Sequence, residues 1–306
     1  MIMFKIKKIS LCYYLTSDAL PHQAFTDFKA VELTETMRLQ LKAPTDPQPS
    51  WVYDMAVLPS CNLLIADGEN QSLKVVDVQT GRLLSHLHLP SEPLSLCLLP
   101  GDRAAVLQPD QKIIQIINTS TDQLKLLEYV NVEGDCRGGL AYMNNKFIVG
   151  SSDQQCVASI NIKGKLLKSV SRDITGNQLF KHPWYICDTT DKNGPSIYVS
   201  DWGTHTITRL SEELEVLQTF RHPTQYGPDG LAAAGGGQLL VRDRDSNSRL
   251  RVLDTGTGEF MDIEEEKWVV EVWVGVCVAF CPRLGRVYAN HGKLDENNYI
   301  SVHEIS

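Results

Sequence analysis

The sequence predicts an all-β chain: a six-bladed β-propeller closed by an N-terminal strand. Three observations predict it. Residues 196–220 hold a meander of three short strands whose apolar face cannot be buried alone. Similar units recur along the chain at a period in the low forties, the repeat length of a four-stranded blade. The last unit is one strand short, and a strand-like segment near the amino end is left over to complete it.

In the reference unit, residues 197–200 and 206–210 are rich in β-branched side chains, and Asp201 and Gly203 mark the turn between them. An apolar run at 216–220 supplies the third strand. The run Leu63-Leu64-Ile65-Ala66-Asp67-Gly68 is followed by Ser72-Leu73-Lys74-Val75-Val76-Asp77, and Leu239-Leu240-Val241-Arg242-Asp243 by Leu250-Arg251-Val252-Leu253-Asp254. Fainter copies are 104–108 with 113–117, 147–151 with 157–162, and 287–290 with 299–305. The residue after each first strand is Asp67, Gln108, Gly150, Asp201, Asp243 or Asn290, at gaps of 41, 42, 51, 42 and 47 residues. The long gap contains 189–195, an extended hairpin loop, and Gly235-Gly236-Gly237 is a hairpin tip.

Residues 1–25 stand outside the repeat as a non-propeller, poorly ordered segment, and 26–306 form the propeller. The apolar run near the start is about seven residues long with no small-x-small cleavage site, so no leader is expected. Residues 30–33 and 37–41 are strand-like, the 43–50 segment is a loop by its prolines, and the strand around 37–42 is expected to seal the sixth blade.

The 306 residues carry 42% hydrophobic side chains and a formal net charge of −8, which argues against a strongly basic nucleic-acid binder. Eight cysteines are scattered without Cys-x-x-Cys spacing, so they read as small core residues of a reduced, cytoplasmic protein. No apolar stretch is long enough to span a membrane.

Pro228-Asp-Gly-Leu-Ala, then Gln238-Leu-Leu-Val-Arg-Asp243, then Leu250-Arg-Val-Leu resembles the NHL repeat, whose pattern is Pro-x-Gly-Ile-Ala, an apolar run ending Val-Ala-Asp, a turn, and Arg-Ile-x-Val-Phe. Over about residues 28–306 the chain resembles the C-terminal propeller of tripartite-motif (TRIM-NHL) ubiquitin-ligase proteins, the invertebrate ones in particular. The resemblance implies a non-catalytic domain that binds protein partners or ubiquitination substrates. Ligase activity would need a RING domain, and the zinc-ligand spacings of RING and B-box are not in this sequence. It equally leaves open an RNA-binding propeller in post-transcriptional regulation. A metal-dependent propeller hydrolase or lyase is a third reading.

Asp67, Asp201 and Asp243 read as turn carboxylates that accept backbone N–H bonds rather than as metal ligands. The segment Asp243-Arg-Asp-Ser-Asn247 alternates oxygens like a calcium loop. It lacks the Gly and Glu that such a loop requires, and it too reads as a turn. No cofactor and no metal ligand are expected. The turns between second and third strands share a rim with the links between blades. That rim is expected to carry Trp202, His205, Arg244 and Arg249 from turns, and Arg137, Trp184 and Tyr226 from links. Arginine and aromatic residues are the types that dominate protein interfaces and that stack on single-stranded RNA. Trp184, between Pro183 and Ile186, is equally placed to be core.

Overall fold

The computed structural model describes residues 28, 32–120, 123–191, 194–223, 227–244, 249–263, 276–291 and 299–305. Twenty-four strands form six antiparallel four-stranded sheets. Blade one comprises β2 (Val52–Val57), β3 (Leu63–Asp67), β4 (Ser72–Val76) and β5 (Leu83–His88). Blade two comprises β6 (Ser95–Leu99), β7 (Arg103–Gln108), β8 (Ile113–Asn118) and β9 (Lys125–Asn131). In blade three these are β10 (Leu140–Met143), β11 (Lys146–Ser151), β12 (Cys156–Asn161) and β13 (Leu166–Val170). Blade four holds β14 (Pro183–Asp191), β15 (Gly194–Asp201), β16 (Thr206–Leu210) and β17 (Val216–Arg221), and blade five β18 (Pro228–Gly235), β19 (Gln238–Asp243), β20 (Leu250–Asp254) and β21 (Phe260–Asp262). Blade six takes β22 (Val278–Cys281), β23 (Arg286–His291) and β24 (Tyr299–Ile305) from the carboxyl end, and β1 (Leu33–Gln40) from the amino end.

The ring therefore closes as the sequence predicts. The closing strand begins earlier than expected, at Leu33, and stops at Gln40. It pairs antiparallel with β24 from Leu33↔Ile305 to Gln40↔Tyr299, with an irregularity between Glu35 and Met37. Of the two strand-like stretches seen in the sequence, Leu33 and residues 37–40 belong to this one strand, and residues 30 and 31 lie outside the described residues. Upstream, Phe28 packs edge-on against Phe280 at 5.3 Å, and its N–H donates to Gln238 of blade five. The expected loop at 189–195 is shorter than read, because β14 and β15 extend into it and pair as far as Asp191↔Gly194.

The core lies between blades, and strand alternation builds it. Along β3, Leu63 and Ile65 join the cluster shared with blade six, while Leu64 and Ala66 join the one shared with blade two. Second strands are covered on both faces, which is why they read as continuous apolar runs rather than alternating ones. The seven cysteines within the described residues are free thiols, five of them buried. Among the described residues no helix is long and apolar enough to cross a membrane.

Among the described residues, two fully buried cations interrupt this core. Lys74 on β4 is fully buried, and its ammonium donates to Asp46 (2.6 Å), Asp67 (2.5 Å) and Ser50 (2.8 Å). Asp46 and Ser50 belong to the proline-rich segment that joins β1 to blade one, so this ammonium fastens the closing strand's connection to the ring. Arg242 on β19 is also fully buried and donates to the carbonyls of Cys277 and Asn290 in blade six.

Candidate functional site: one face of the ring

The residue that ends each second strand holds the start of its own blade's inner strand. Asp67 accepts the N–H of Trp51 (2.9 Å), and Asp201 accepts those of Lys181 (2.6 Å) and His182 (2.9 Å). Gln108 does the same with reversed polarity, donating to the Ser91 carbonyl at 2.9 Å, and Asn290 accepts the Cys277 N–H at 2.8 Å. Substituting an amide for the acid thus preserves the fastening. In blade three the register moves this position from the expected Gly150 to Ser151, which ends β11. Its hydroxyl accepts the Gln154 N–H at 3.0 Å and donates to Asp135 of the link at 2.7 Å. Gly150 sits one residue earlier, where an added Cβ would come within 2.4 Å of the Pro183 carbonyl. Asp243 is a different case. Its buried carboxylate lies 2.8 Å from His222 Nε2 and accepts Arg251 Nε at 3.1 Å. Asp67 and Asp201 thus accept backbone N–H bonds as expected, whereas the partners of Asp243 are the side chains of His222 and Arg251.

At the blade-four turn this face carries a half-buried aromatic and cationic stack. His182 stacks on Trp202 with ring centroids 4.1 Å apart and planes 3° apart, and the Arg244 guanidinium lies 4.2 Å from the Trp202 ring centroid. Stacking of this kind adds about 0.5–1.5 kcal/mol per aromatic pair, and a cation over an indole a similar amount. Asp201 sets the backbone on both sides of the stack, since it also accepts the Thr204 N–H at 2.9 Å. The link into blade five passes directly over this turn. A Cβ on Gly227, at φ +74°, would meet Trp202 Cα at 2.9 Å and His205 Nδ1 at 3.0 Å, so only glycine is accommodated. Arg244 closes the arrangement, its N–H bonding to the Gly227 carbonyl at 3.1 Å and its guanidinium 3.9 Å from Asp229.

Trp202, His205 and Arg244 are thus brought together, and His182 joins them although sequence reasoning passed over it. Arg137 stands apart on the same face, half exposed and paired with Asp110 of the blade-two turn. Arg249 points outward, 3.8 Å from Asp262 on the outer strand β21. Trp184 is partly buried against the central core, the alternative placement its flanking residues indicate. Tyr226, and residues 245–248 of the calcium-like segment, lie outside the described residues.

Sequence reasoning also missed the acids of the inner strands. Asp54 is held by Ser95 Oγ (2.7 Å) and by the Leu96 N–H (2.9 Å) across the interface with blade two, yet burial raises it to about 6. Burial raises Asp229 to about 6 against the pull of Arg244 and Arg242, and Asp188 reaches about 6 for the same cause. Tyr185 reaches from blade four to the Tyr53 carbonyl of blade one, bridging opposite sides of the ring. Nothing in the periodicity marks these acids, because inner-strand positions vary freely between blades. Among the described residues no group of three or more His, Cys, Asp or Glu side chains is arranged to hold a metal ion.

The raised acids fix the sign of a pH effect. Between their ordinary value near 3.8 and about 6 the folded state binds more protons than the unfolded state, so these groups favour the fold most at acid pH and less as pH rises through 6. His303, lowered to about 4 by burial, contributes in the opposite sense, its share being lost as pH falls from about 6.5 to about 4. Replacing Asp229 with Asn removes one raised acid. The variant's melting temperature relative to wild type is therefore expected to be higher at pH 7.5 than at pH 4.5, and a difference independent of pH would contradict the assignment.

No protein-family model matches this chain, and no curated protein matches it. Solved structures do. A streptogramin B lyase superimposes with a TM-score of 0.60 at 10% identity, covering 91% of this chain and 99% of that one. A catalytically inactive virginiamycin B lyase from Staphylococcus aureus, solved with quinupristin, gives 0.58 at 12% identity, covering 89% and 99%. Hydrazine synthase of Kuenenia stuttgartiensis gives 0.56 at 11% identity, covering 81% and 76%. The chain is a six-bladed β-propeller. At these identities the likeness carries the fold alone, and it gives the tripartite-motif resemblance no added support.

Proposed function

We propose that this propeller is a non-catalytic recognition domain that binds a protein partner on the face built from the turns and interblade links. The observation that carries the reading is the surface of Trp202, His182 and Arg244, seated over the Gly227 link. Tryptophan and arginine are the residues most enriched where a few side chains dominate binding. The turn acids that chemistry on this face would draw on are already committed to holding the blades. The ubiquitin-ligase setting comes from the sequence resemblance: the propeller chooses the substrate, and a RING-bearing segment transfers ubiquitin.

A protein ligand is favoured over RNA by charge. Asp110, Glu69 and Glu92 lie in the turns and links of the same face, in a chain of net charge −8, and they oppose a phosphate backbone. The double variant Trp202→Ala, Arg244→Ala is expected to weaken a captured partner by about 1,000-fold, on roughly 2 kcal/mol for each anchor. Its fold should remain intact by circular dichroism. Undiminished capture by the variant would refute the reading, and a low-salt mobility shift of a random RNA pool that the variant abolishes would replace it with RNA recognition.

A further inference from the structure

The outer wall of the ring is not uniform. Of the eight large apolar side chains most exposed among the described residues, six lie on the neighbouring outer edges of blades two and three. Leu126, Leu127 and Tyr129 are on β9, and Ile162, Leu166 and Leu167 lie on or beside β13. The corresponding outer strands β1, β5 and β21 contribute none. Clustered exposed apolar surface marks interaction sites, whereas scattered exposure does not.

A cleft of about 260 Å³ opens beside this edge, between the link from blade two to blade three and the outer half of blade three. Its apolar part is formed by Val132, Val149, Ala158, Ile160 and Leu166. The pairing of β12 with β13 is irregular at the cleft, as are the corresponding pairings in blades one, two and four. Register passes from Ser159↔Lys168 to Ile160↔Leu166, so β13 carries one extra residue there, and Leu166 and Ser169 face the cleft together. Only small side chains, Ala158 and Ser169, stand opposite each other at this point. The cleft is smaller than the roughly 300–1,000 Å³ sites that enclose whole ligands, and suits a single inserted side chain.

Charge is divided between its two ends. Lys163 and Lys165 flank Gly164 in the β12–β13 turn, just before Leu166, while Glu133 and Asp135 line the opposite end. Among the described residues β13 pairs only with β12, and its other edge faces no strand. We propose that the outer edge of blade three takes an extended peptide of a partner protein as an added strand, with an aliphatic side chain laid against Leu166 and Ser169 at the mouth of the cleft. The peptide's acidic end lies at Lys163 and Lys165, and its basic end at Glu133 and Asp135. Backbone pairing supplies adhesion, and the cleft and charges supply register and direction. This surface is separate from the Trp202 face.

The test uses a library of seven-residue peptides with two acidic, three aliphatic and two basic residues in that order or its reverse, titrated by fluorescence anisotropy against the full chain. Members binding with Kd below ~1 mM are expected. Ala158→Phe, which fills the cleft, should weaken them at least ~10-fold. Lys163→Glu with Lys165→Glu should weaken them several-fold at low salt and by less at high salt. The Trp202→Ala, Arg244→Ala variant should bind them unchanged, which separates this proposal from the one above. No binding member, binding indifferent to Ala158→Phe in a variant that melts like wild type, or a self-associated dimer that Ala158→Phe dissolves would each overturn it.

Discussion

Replacing Lys74 with methionine is expected to destabilise the propeller by about 3–5 kcal/mol, because it strips the partner from buried carboxylates without returning them to water. Lys74, Asp46 and Asp67 side chains are all fully buried, and three acceptors surround one ammonium that has three protons to give. Methionine matches the stem of the lysine and fills its space, so packing is largely kept and the loss is electrostatic. Asp67 still has the N–H of Trp51, whereas Asp46 keeps only the Ala43 N–H and the His86 ring 3.4 Å away. A urea titration should show the midpoint falling by more than about 1 M at an m-value near 3 kcal/mol/M. Adding Asp46→Leu to the variant should recover part of the loss, since the two sites are directly coupled. A midpoint within ~0.2 M of wild type would mean that the buried network contributes nothing net to the fold.

Removing residues 1–42 is expected to have the second large effect, and it should act on the whole ring rather than on blade six alone. The truncation takes away β1 and with it Leu39 and Leu41, which are completely enclosed. Burying a leucine contributes about 1.5–3 kcal/mol, so these two alone account for several kcal/mol. It also exposes the edge of β24 from Tyr299 to Ile305, which has no other neighbour on that side. An unpaired edge of that length invites self-association. The truncated chain should therefore melt well below the full one or aggregate. Supplying residues 28–42 as a separate peptide should restore stability in proportion to peptide concentration. If the truncated protein melts like the full chain, the strand is an accessory and not the closure.

Much of the architecture is legible in the sequence, and the reason is local. Each blade's second strand must bury both faces, so stretches such as Leu63-Leu64-Ile65-Ala66 stand out as unbroken apolar runs. The turn that follows needs an acceptor or donor for the neighbouring backbone, so Asp, Asn or Gln recurs at one position. In blade three the polar residue is Ser151, one place beyond the Gly150 that spacing alone selects. The outer strand of blade six could be sought near the amino end because an open blade is unfavourable. Its exact limits could not be found that way, because the Glu35–Met37 irregularity splits its pattern.

The candidate site is legible only in part. Trp202, His205 and Arg244 stand out because polar turns seldom hold such side chains without cause. His182 does not, since nothing in its own neighbourhood says that it will lie flat on an indole twenty residues away. Arg249 shows the converse: the same turn that presents Arg244 to the face sends Arg249 toward Asp262.

Taken alone, the sequence determined the number of blades, the strands within each and the closure by an N-terminal strand, because period and alternation are written in neighbouring residues. The tertiary structure decided which charges are buried and what they hold, which side chains meet on the open face, and where the outer wall gapes beside Ala158. Those outcomes depend on contacts between blades, where a residue's partner lies some forty positions away or at the far end of the chain. No local pattern encodes such a distance.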